Sequence, residues 1–154
     1  VNTYTGGLAT PHYRALARAA GLAHGFTLDV LLVGWPSEDL GGLCEKAAAS
    51  SGMEGGEYLL PLLSEGRIRT CTLNHLLTGS HEEGHLVVTT NDVPSSIDPS
   101  GKGRICALIG LGRHGLPRKV IDSIADRWDV TGLGTSLETS VAMGSIATLL
   151  GALE

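Results

Sequence analysis

The sequence predicts an α/β domain built on a mostly parallel sheet with helices on both faces. Residues 28–33 and 104–109 are almost unbroken apolar runs bounded by polar residues or glycine, which is typical of strands buried on both faces of a sheet. Glycine-rich turns and helical patterns follow these runs, as expected when helices connect parallel strands. With 154 residues, of which 42% are hydrophobic, the chain is predicted to form one domain spanning 1–154.

Composition limits the classes of function. The formal net charge of −5 means that a nucleic-acid site must be a local basic patch, and five of the eleven Lys and Arg residues lie within 102–119. Three cysteines without paired spacing indicate neither a disulfide framework nor a zinc knuckle, so a cytoplasmic protein is expected. No apolar run approaches the roughly 18 residues of a membrane span, so no membrane partner is expected.

The first elements are predicted from capping residues and glycines. Residues 1–5 are expected to be the end of a first strand. Thr10 and Pro11 are typical of a helix start, and the helical face that follows ends near Gly21 or Gly25. Its apolar residues are Leu16, Ala17, Ala20 and Leu22.

The middle of the chain alternates strands and helices. Strand 28–33 is followed by Ser37, which is expected to cap a helix that ends at Ala49. A shorter helix is predicted over 56–64, and 67–72 alternates in the manner of an edge strand.

A β-branched strand over 86–90 precedes the loop 91–103. This loop is longer than the usual α/β connection of about 2 to 6 residues, and long loops in compact domains are more often functional. We therefore expect it to frame a ligand.

The segment 104–150 organises the rest of the chain. Strand 104–109 ends in the turn 110–115, where glycines allow backbone N–H groups to face a ligand. Pro117 is expected at the first turn of the next helix. The apolar face of that helix is predicted to carry Leu116, Val120, Ile121, Ile124 and Trp128.

A second glycine-rich turn follows a very short strand predicted at 129–131. Gly132 and Gly134 flank this turn, and Thr135 with Glu138 forms a capping-box pattern for the last helix. We expect a partner segment or subunit on the small-residue stripe of this helix, which consists of Ser136, Ser140, Gly144 and Thr148.

Two short motifs favour other chemistries. Residues 81–85 match H-E-x-x-H, but Gly84 lies inside the motif and a strand follows at once, so a zinc-binding helix is not expected. Residues 110–115 match G-x-G-x-x-G, with Asp129 nineteen residues after Gly110 as the possible ribose acid. However, Asp129 is expected to begin its strand rather than follow it, which ranks a dinucleotide site lower.

The order strand, Ile-Gly-x-Gly-x-x-Gly-Leu-Pro, helix, short strand, glycine-rich turn and Ser-Leu-x-x-Ser-Val-Ala resembles the C-terminal half of SPOUT methyltransferases. The strongest match is 136–142. The whole chain resembles an uncharacterised archaeal domain-of-unknown-function family in that class. The resemblance implies a deep trefoil knot at about 86–154, S-adenosylmethionine as the cofactor, a homodimer and an RNA substrate.

The resemblance also implies functional residues. Arg18 matches the catalytic arginine of the motif Asn-x-Gly-x-x-x-Arg, although His12 and Arg14 replace its Asn and Gly. Glu138 stands where many ribose methyltransferases of this class have Asn, and His114 is a further candidate for proton transfer. The implied cofactor pocket consists of Thr89, Thr90, Gly110, Leu111, Gly112, Gly115, Val130, Gly132, Leu133, Ser136 and Leu137.

Three functional hypotheses follow. The leading one is an S-adenosylmethionine-dependent RNA methyltransferase. The second is a protein of the same fold that binds S-adenosylmethionine or RNA without methyl transfer, because Glu138 and Gly112 replace residues of the family motifs. The third is a dinucleotide-binding oxidoreductase.

Overall fold

All paired strands in the described ranges run parallel. The computed structural model describes residues 1–4, 6–36, 39–50, 54–79, 82–91, 97–112 and 114–153. One sheet pairs β1 with β2, and the other has the order β4-β3-β5. The strands are β1 (Val30–Val33), β2 (Ile68–Cys71), β3 (His85–Thr89), β4 (Ile105–Leu108) and β5 (Arg127–Trp128).

Within the described residues, six α-helices and one 3₁₀ turn connect the strands. None of the described helices combines the length and the hydropathy needed to cross a bilayer. The helices are α1 (Thr10–Phe26), α2 (Leu40–Ala49), α3 (Leu59–Ser64), α4 (Leu73–Thr78), α5 (Arg118–Ser123) and α6 (Thr139–Gly151), with the 3₁₀ turn at Gly56–Tyr58.

The N-terminal residues join the two sheets. The Asn2 nitrogen donates to the Val33 oxygen at 2.9 Å, and the Leu111 nitrogen donates to the Val1 oxygen at 2.8 Å. Asn2 and Leu111 form a parallel bridge. Residues 1–3 therefore lie between the carboxyl ends of β1 and β4, as expected for the end of a strand.

Apolar clusters cover both faces of the strands. Neighbouring strand residues point to opposite faces, and Leu32 packs with α1, α2 and α3 while Val33 packs with α4 and α5. In β3, Val88 joins the α4 and α5 side while Val87 packs against Ile146 of α6. The predicted parallel α/β architecture with helices on both faces is confirmed.

The region after β4 differs from the sequence prediction. Helix α5 ends at Ser123, because Ile124 is already extended, and Trp128 lies in β5 rather than on the helix. The short strand was predicted at 129–131 but is formed two residues earlier, since the Asp129 side chain caps the following turn. Pro117 precedes the first helical residue instead of occupying it.

Helix capping also departs from the predictions. Glu138 is itself the N-cap of α6 and accepts a hydrogen bond from the Ser140 nitrogen at 3.1 Å, so the predicted capping box from Thr135 is wrong. Ser136 therefore precedes the helix and is not part of its stripe. Asp39 caps α2 through the Gly42 nitrogen at 2.9 Å, while the predicted cap Ser37 lies outside the described residues.

Two further differences concern α1 and α4. The residue before α1 is Ala9, so the predicted cap Thr10 is already helical, and α1 continues to Phe26. Helix α4 follows β2 directly and was not predicted. Its N-cap is Thr72, whose hydroxyl accepts from the His75 nitrogen at 3.1 Å.

Candidate cofactor and catalytic site

Three loops meet at the carboxyl edge of the three-stranded sheet. Because β3, β4 and β5 are parallel, the segments that follow them leave the sheet at the same edge. The Thr89 hydroxyl donates to the Leu108 oxygen at 2.7 Å, and the Thr90 nitrogen donates to the Trp128 oxygen at 3.1 Å. The Asn91 amide donates to the Gly134 oxygen at 3.3 Å. Ligands of open α/β sheets bind at this edge.

The turn after β4 is crowded enough to require glycine. A Cβ at Gly110 would overlap the carbonyl carbon of Gly115 and lie 2.5 Å from the Leu116 nitrogen. Gly112 has φ +147, and a Cβ there would overlap the Thr3 hydroxyl. Both glycines are therefore required by the close packing of this turn on its own backbone and on Thr3.

Asp129 organises the turn after β5. Its carboxylate accepts from the Gly134 nitrogen at 2.6 Å, from the Thr131 nitrogen at 3.1 Å and from the Thr131 hydroxyl at 2.9 Å. These hydrogen bonds, the Gly134 N–H first among them, lower the pKa of Asp129. The Thr131 hydroxyl in turn accepts from the Leu133 nitrogen at 3.2 Å. Leu133, in the middle of this turn, is 86% exposed.

A cavity of about 460 Å³ lies between α1, the turn after β4 and the start of α6. We call it the Arg18 cavity. Its lining combines the charged residues Arg18 and Glu138 with hydroxyl-bearing and apolar residues. The lining residues are Tyr4, Pro11, Ala15, Arg18, Leu111, Gly112, Ser136, Leu137, Glu138, Thr139, Ser140 and Met143.

Arg18 and Glu138 give this cavity a pair of opposite charges. The pKa of Glu138 is lowered chiefly by hydrogen bonds from the Ser140 hydroxyl and nitrogen, with a smaller contribution from the Arg18 charge. Glu138 is therefore a carboxylate at neutral pH. Both side chains are on exposed residues, so a ligand can reach them from solvent.

His12 holds the N-terminal segment against the cavity. Its Nδ1 accepts from the Ala9 nitrogen at 3.0 Å, so the opposite nitrogen, Nε2, donates to the Asn2 side-chain oxygen at 2.9 Å. The ring lies 5.0 Å from that of Tyr4, between centroids. Burial lowers the pKa of His12. His12 therefore acts as a neutral connector between α1 and residues 2–4.

The structure brings only some of the predicted site residues into one cavity. Those that line it are Arg18, Glu138, Leu111, Gly112, Ser136 and Leu137. Six predicted cofactor residues belong to strands or loops at the same edge of the sheet but do not line this cavity: Thr89, Thr90, Gly115, Val130, Gly132 and Leu133. Gly110 lines a different cavity, and His114 is exposed and lines neither.

Sequence reasoning missed Tyr4 and the capping role of Asp129. The Asp-x-Thr-Gly spacing of 129–132 is a turn signal that would have indicated the second. Tyr4 has no comparable signal, because it is brought to the cavity by pairing between residues more than a hundred positions apart.

The competing motifs have different local structures. His81 lies outside the described residues, Glu82 and Glu83 lie in a turn and β3 begins at His85, so the described part of H-E-x-x-H is not helical. The His85 ring instead pairs with Asp126. Asp129 follows β5, contrary to the prediction that it begins a strand, and both of its carboxylate oxygens accept hydrogen bonds from its own loop.

No family model matches the chain. It is 31% identical over 147 residues to the uncharacterized protein MJ0224 of Methanocaldococcus jannaschii, a match that covers 90% of this chain and 82% of that protein. The chain belongs to the family of this archaeal protein. Members of the MJ0224 family are therefore expected to share the sheet order and the loop arrangement described above.

The fold is also similar to that of a solved enzyme. The crystal structure of an rRNA methyltransferase from Sinorhizobium meliloti matches with a TM-score of 0.60 and 17% sequence identity. The match covers 89% of this chain and 50% of the solved chain, so the present chain spans about half the length of that protein. At this identity the similarity establishes a methyltransferase-like fold.

Proposed function

We propose that this member of the MJ0224 family is an S-adenosylmethionine-dependent methyltransferase that acts on RNA. The observation that carries the proposal is the Arg18 cavity, where Leu111 and Gly112 of the turn after β4 and the start of α6 meet Arg18 and Glu138. The cavity lies beside the carboxyl edge of a parallel sheet in a fold shared with an rRNA methyltransferase.

The walls of the cavity fit an adenosyl ligand. Such a ligand presents a flat apolar base and a ribose with hydroxyl groups, which backbone groups and small apolar side chains bind well. Leu111, Gly112 and Leu137 supply these groups within the cavity, and the Glu138 carboxylate complements a sulfonium charge. Ser136 lines the same cavity. We propose that the part of the ligand that extends from the cavity along the carboxyl edge of the sheet contacts the other predicted cofactor residues, namely Thr89, Thr90, Gly110, Gly115, Val130, Gly132 and Leu133.

The proposed fold is of the SPOUT type, with a knot formed by the C-terminal segment. The Ile97 nitrogen donates to the Arg127 oxygen at 3.0 Å, and Ile97 packs against the cluster that contains Trp128 and Ile146. Asn91, at the start of the same loop, reaches Gly134. These contacts of Asn91 and Ile97 with β5, its turn and α6 support a path of the C-terminal chain through the loop 91–103.

The side chains of the cavity have separate roles in methyl transfer. S-adenosylmethionine supplies an electrophilic methyl group when it is bound. Arg18 is positioned to bind an RNA phosphate or to stabilise the oxygen that loses its proton, because a guanidinium remains charged at every physiological pH. Glu138 orients the attacking hydroxyl or amine through a hydrogen bond. A role for His114 as proton carrier requires that the RNA extends over the turn after β4.

A homodimer would place a second surface beside the cavity. Val141, Leu149 and Leu153 of the α6 region are 53%, 42% and 45% exposed, and these apolar groups are available to a partner. Because Ser140 and Thr139 line the cavity from the first turn of α6, a partner on this helix would border the RNA site.

Methyl transfer is tested by incubating the protein with S-adenosylmethionine that carries a labelled methyl group and with total archaeal RNA. We expect label in RNA, and none when the RNA is first hydrolysed. Cofactor binding without label in RNA would instead establish the silent binding protein, a function favoured by the engagement of Glu138 as the cap of α6. Thermal stabilisation by NAD and not by S-adenosylmethionine would overturn both.

A further inference from the structure

A second and larger cavity separates the two sheets. It has a volume of about 950 Å³ and lies between β1 and β4, below Val1. We call it the strand groove. Its roof is formed by α1 and α6 and is almost entirely apolar, with Leu16, Leu22, Ala23, Met143, Ile146 and Leu150 among the lining residues.

Both walls of the strand groove present backbone hydrogen-bonding groups. In parallel ladders the backbone groups of successive residues alternate between the two neighbouring strands. Arg104, Cys106 and Leu108 face β3, so the backbone groups of Ile105, Ala107 and Ile109 face the groove. By the same alternation along the β1–β2 ladder, Leu31 and Val33 face the groove from the opposite side.

The segment 1–3 already has the geometry of a strand in this position. The Val1 amino group donates to the Ile109 oxygen at 2.7 Å, and the Asn2 nitrogen bonds to Val33 on the other side. The amino group thus occupies the place of a peptide N–H within a ladder. Burial lowers the pKa of this amino group to about 6, as expected for an ammonium removed from water.

We propose that the strand groove is the seat of one further parallel strand of about five residues, the chain segment joined to the Val1 nitrogen. At the end of the groove away from Val1, Asp29 and Arg104 form an ion pair whose nearest atoms are 3.0 Å apart. From Ile109 down to Arg104 the wall is about five residues long, which sets the length of the strand.

The groove also sets the composition of this strand. Val1 packs on the face covered by α4 and α5, so the residue that precedes it faces α1 and α6 together with Asn2. Both faces are apolar, and strands buried on both faces are continuous runs of β-branched and aliphatic residues. The strand would join the two sheets into one with the order β2-β1-new strand-β4-β3-β5.

The test uses the whole chain with two five-residue extensions at Val1. One extension is Ile-Val-Val-Ile-Val and the matched control is Gly-Ser-Gly-Ser-Gly. We expect the apolar extension to slow amide hydrogen exchange at Leu31, Ala107 and Ile109 about tenfold or more relative to the control, with no change at Val87 in β3. The melting temperature should rise by about 5 °C.

Equal exchange rates in the two extended chains would overturn the proposal. Slow exchange at these amides only at high protein concentration, without an extension, would also overturn it, because a second copy would then fill the groove. Since the readout is hydrogen exchange, this result is independent of whether methyl transfer is found.

Discussion

At Gly110, the packing of the turn after β4 leaves no room for a side chain. Its missing side chain lets the chain return at Gly115 and Leu116, where a Cβ would overlap backbone atoms. We expect Gly110→Ala to lower the free energy of unfolding by about 2–3 kcal/mol, because backbone cannot move aside as a side-chain end can. Urea unfolding measures this change.

The control for this substitution is Gly25→Ala in α1. A Cβ at Gly25 meets nothing within 4 Å, so alanine there should be neutral or stabilising by up to about 1 kcal/mol. Equal losses of stability in the two variants would show that the turn after β4 is not as tightly closed as described.

Substitution of Arg18 tests whether its positive charge in the Arg18 cavity contributes to methyl transfer. Replacement by glutamine should lower the rate of methyl transfer about a hundredfold, while the affinity for S-adenosylmethionine changes less than about twofold. Arg14→Gln, one turn earlier on α1 and also exposed, is the matched control and should retain activity. Single-turnover assays and calorimetric titration separate the two effects. An unchanged transfer rate for Arg18→Gln would remove Arg18 from the mechanism.

At the level of elements, the turn after β5 depends on one carboxylate. Asp129→Asn replaces an oxygen acceptor by an N–H₂ group that cannot accept from the Gly134 or Thr131 nitrogen. We expect the affinity for S-adenosylmethionine to fall about tenfold, a loss of about 1.4 kcal/mol. The control Asp122→Asn changes an exposed ion pair on α5 and should leave the affinity unchanged. Equal affinities in all three proteins would contradict a cofactor role for this turn.

The same carboxylate has a predicted pH dependence. The folded-state pKa of Asp129 is lowered from 3.8. The hydrogen bonds of its carboxylate therefore stabilise the turn fully above pH 3.8, and this stabilisation is lost as the pH falls through the lower, folded-state pKa. Amide exchange of Gly134 should therefore accelerate only under acid conditions. Acceleration near neutral pH would contradict this origin.

Elements with a strong local pattern were predictable from the sequence. The apolar runs near β1 and β4 and the β-branched run of β3 gave strands within about two residues, as expected for such boundaries. Trp128 was misplaced because its spacing from Ile124 suits a helix, although the chain becomes extended at Ile124. Helix α4 was missed because it follows β2 with a single intervening residue, Thr72.

The site was predictable only in part, because it depends on contacts between segments that are distant in the sequence. Arg18 and Glu138 came from motif resemblance, and their shared cavity depends on contact between α1 and α6. No local spacing predicts that contact. The participation of Tyr4 depends on the pairing of the first residues with Leu111, which has no sequence signal.

At the scale of the whole molecule, a protein made to begin at Val1, without the further strand proposed above, should have a stability that depends on pH through its buried amino group. In the 154-residue chain its pKa is about 6, against 8.0 in the unfolded chain. Between these values the unfolded chain binds more protons, so stability increases as the pH rises from 6 to 8, by about 2 kcal/mol. Urea unfolding across this range measures the change, in protein that begins at Val1.

Acetylation of the Val1 nitrogen provides the control. It removes the titrating group, so this pH dependence should disappear while that of His12, whose lowered pKa makes stability rise with pH up to the unfolded value of 6.5, remains. If the dependence of stability on pH is the same after acetylation, the Val1 amino group is exposed to solvent and not buried.

The most direct test of the central claim is to map amide chemical shifts while S-adenosylmethionine is added to the ¹⁵N-labelled protein. We expect the largest changes at Leu111, Gly112, Gly134 and Leu137, with changes at Thr89 and Thr90 and none at α2. Absence of changes at saturating cofactor, or changes confined to residues far from the carboxyl edge of β3, β4 and β5, would contradict the proposed site.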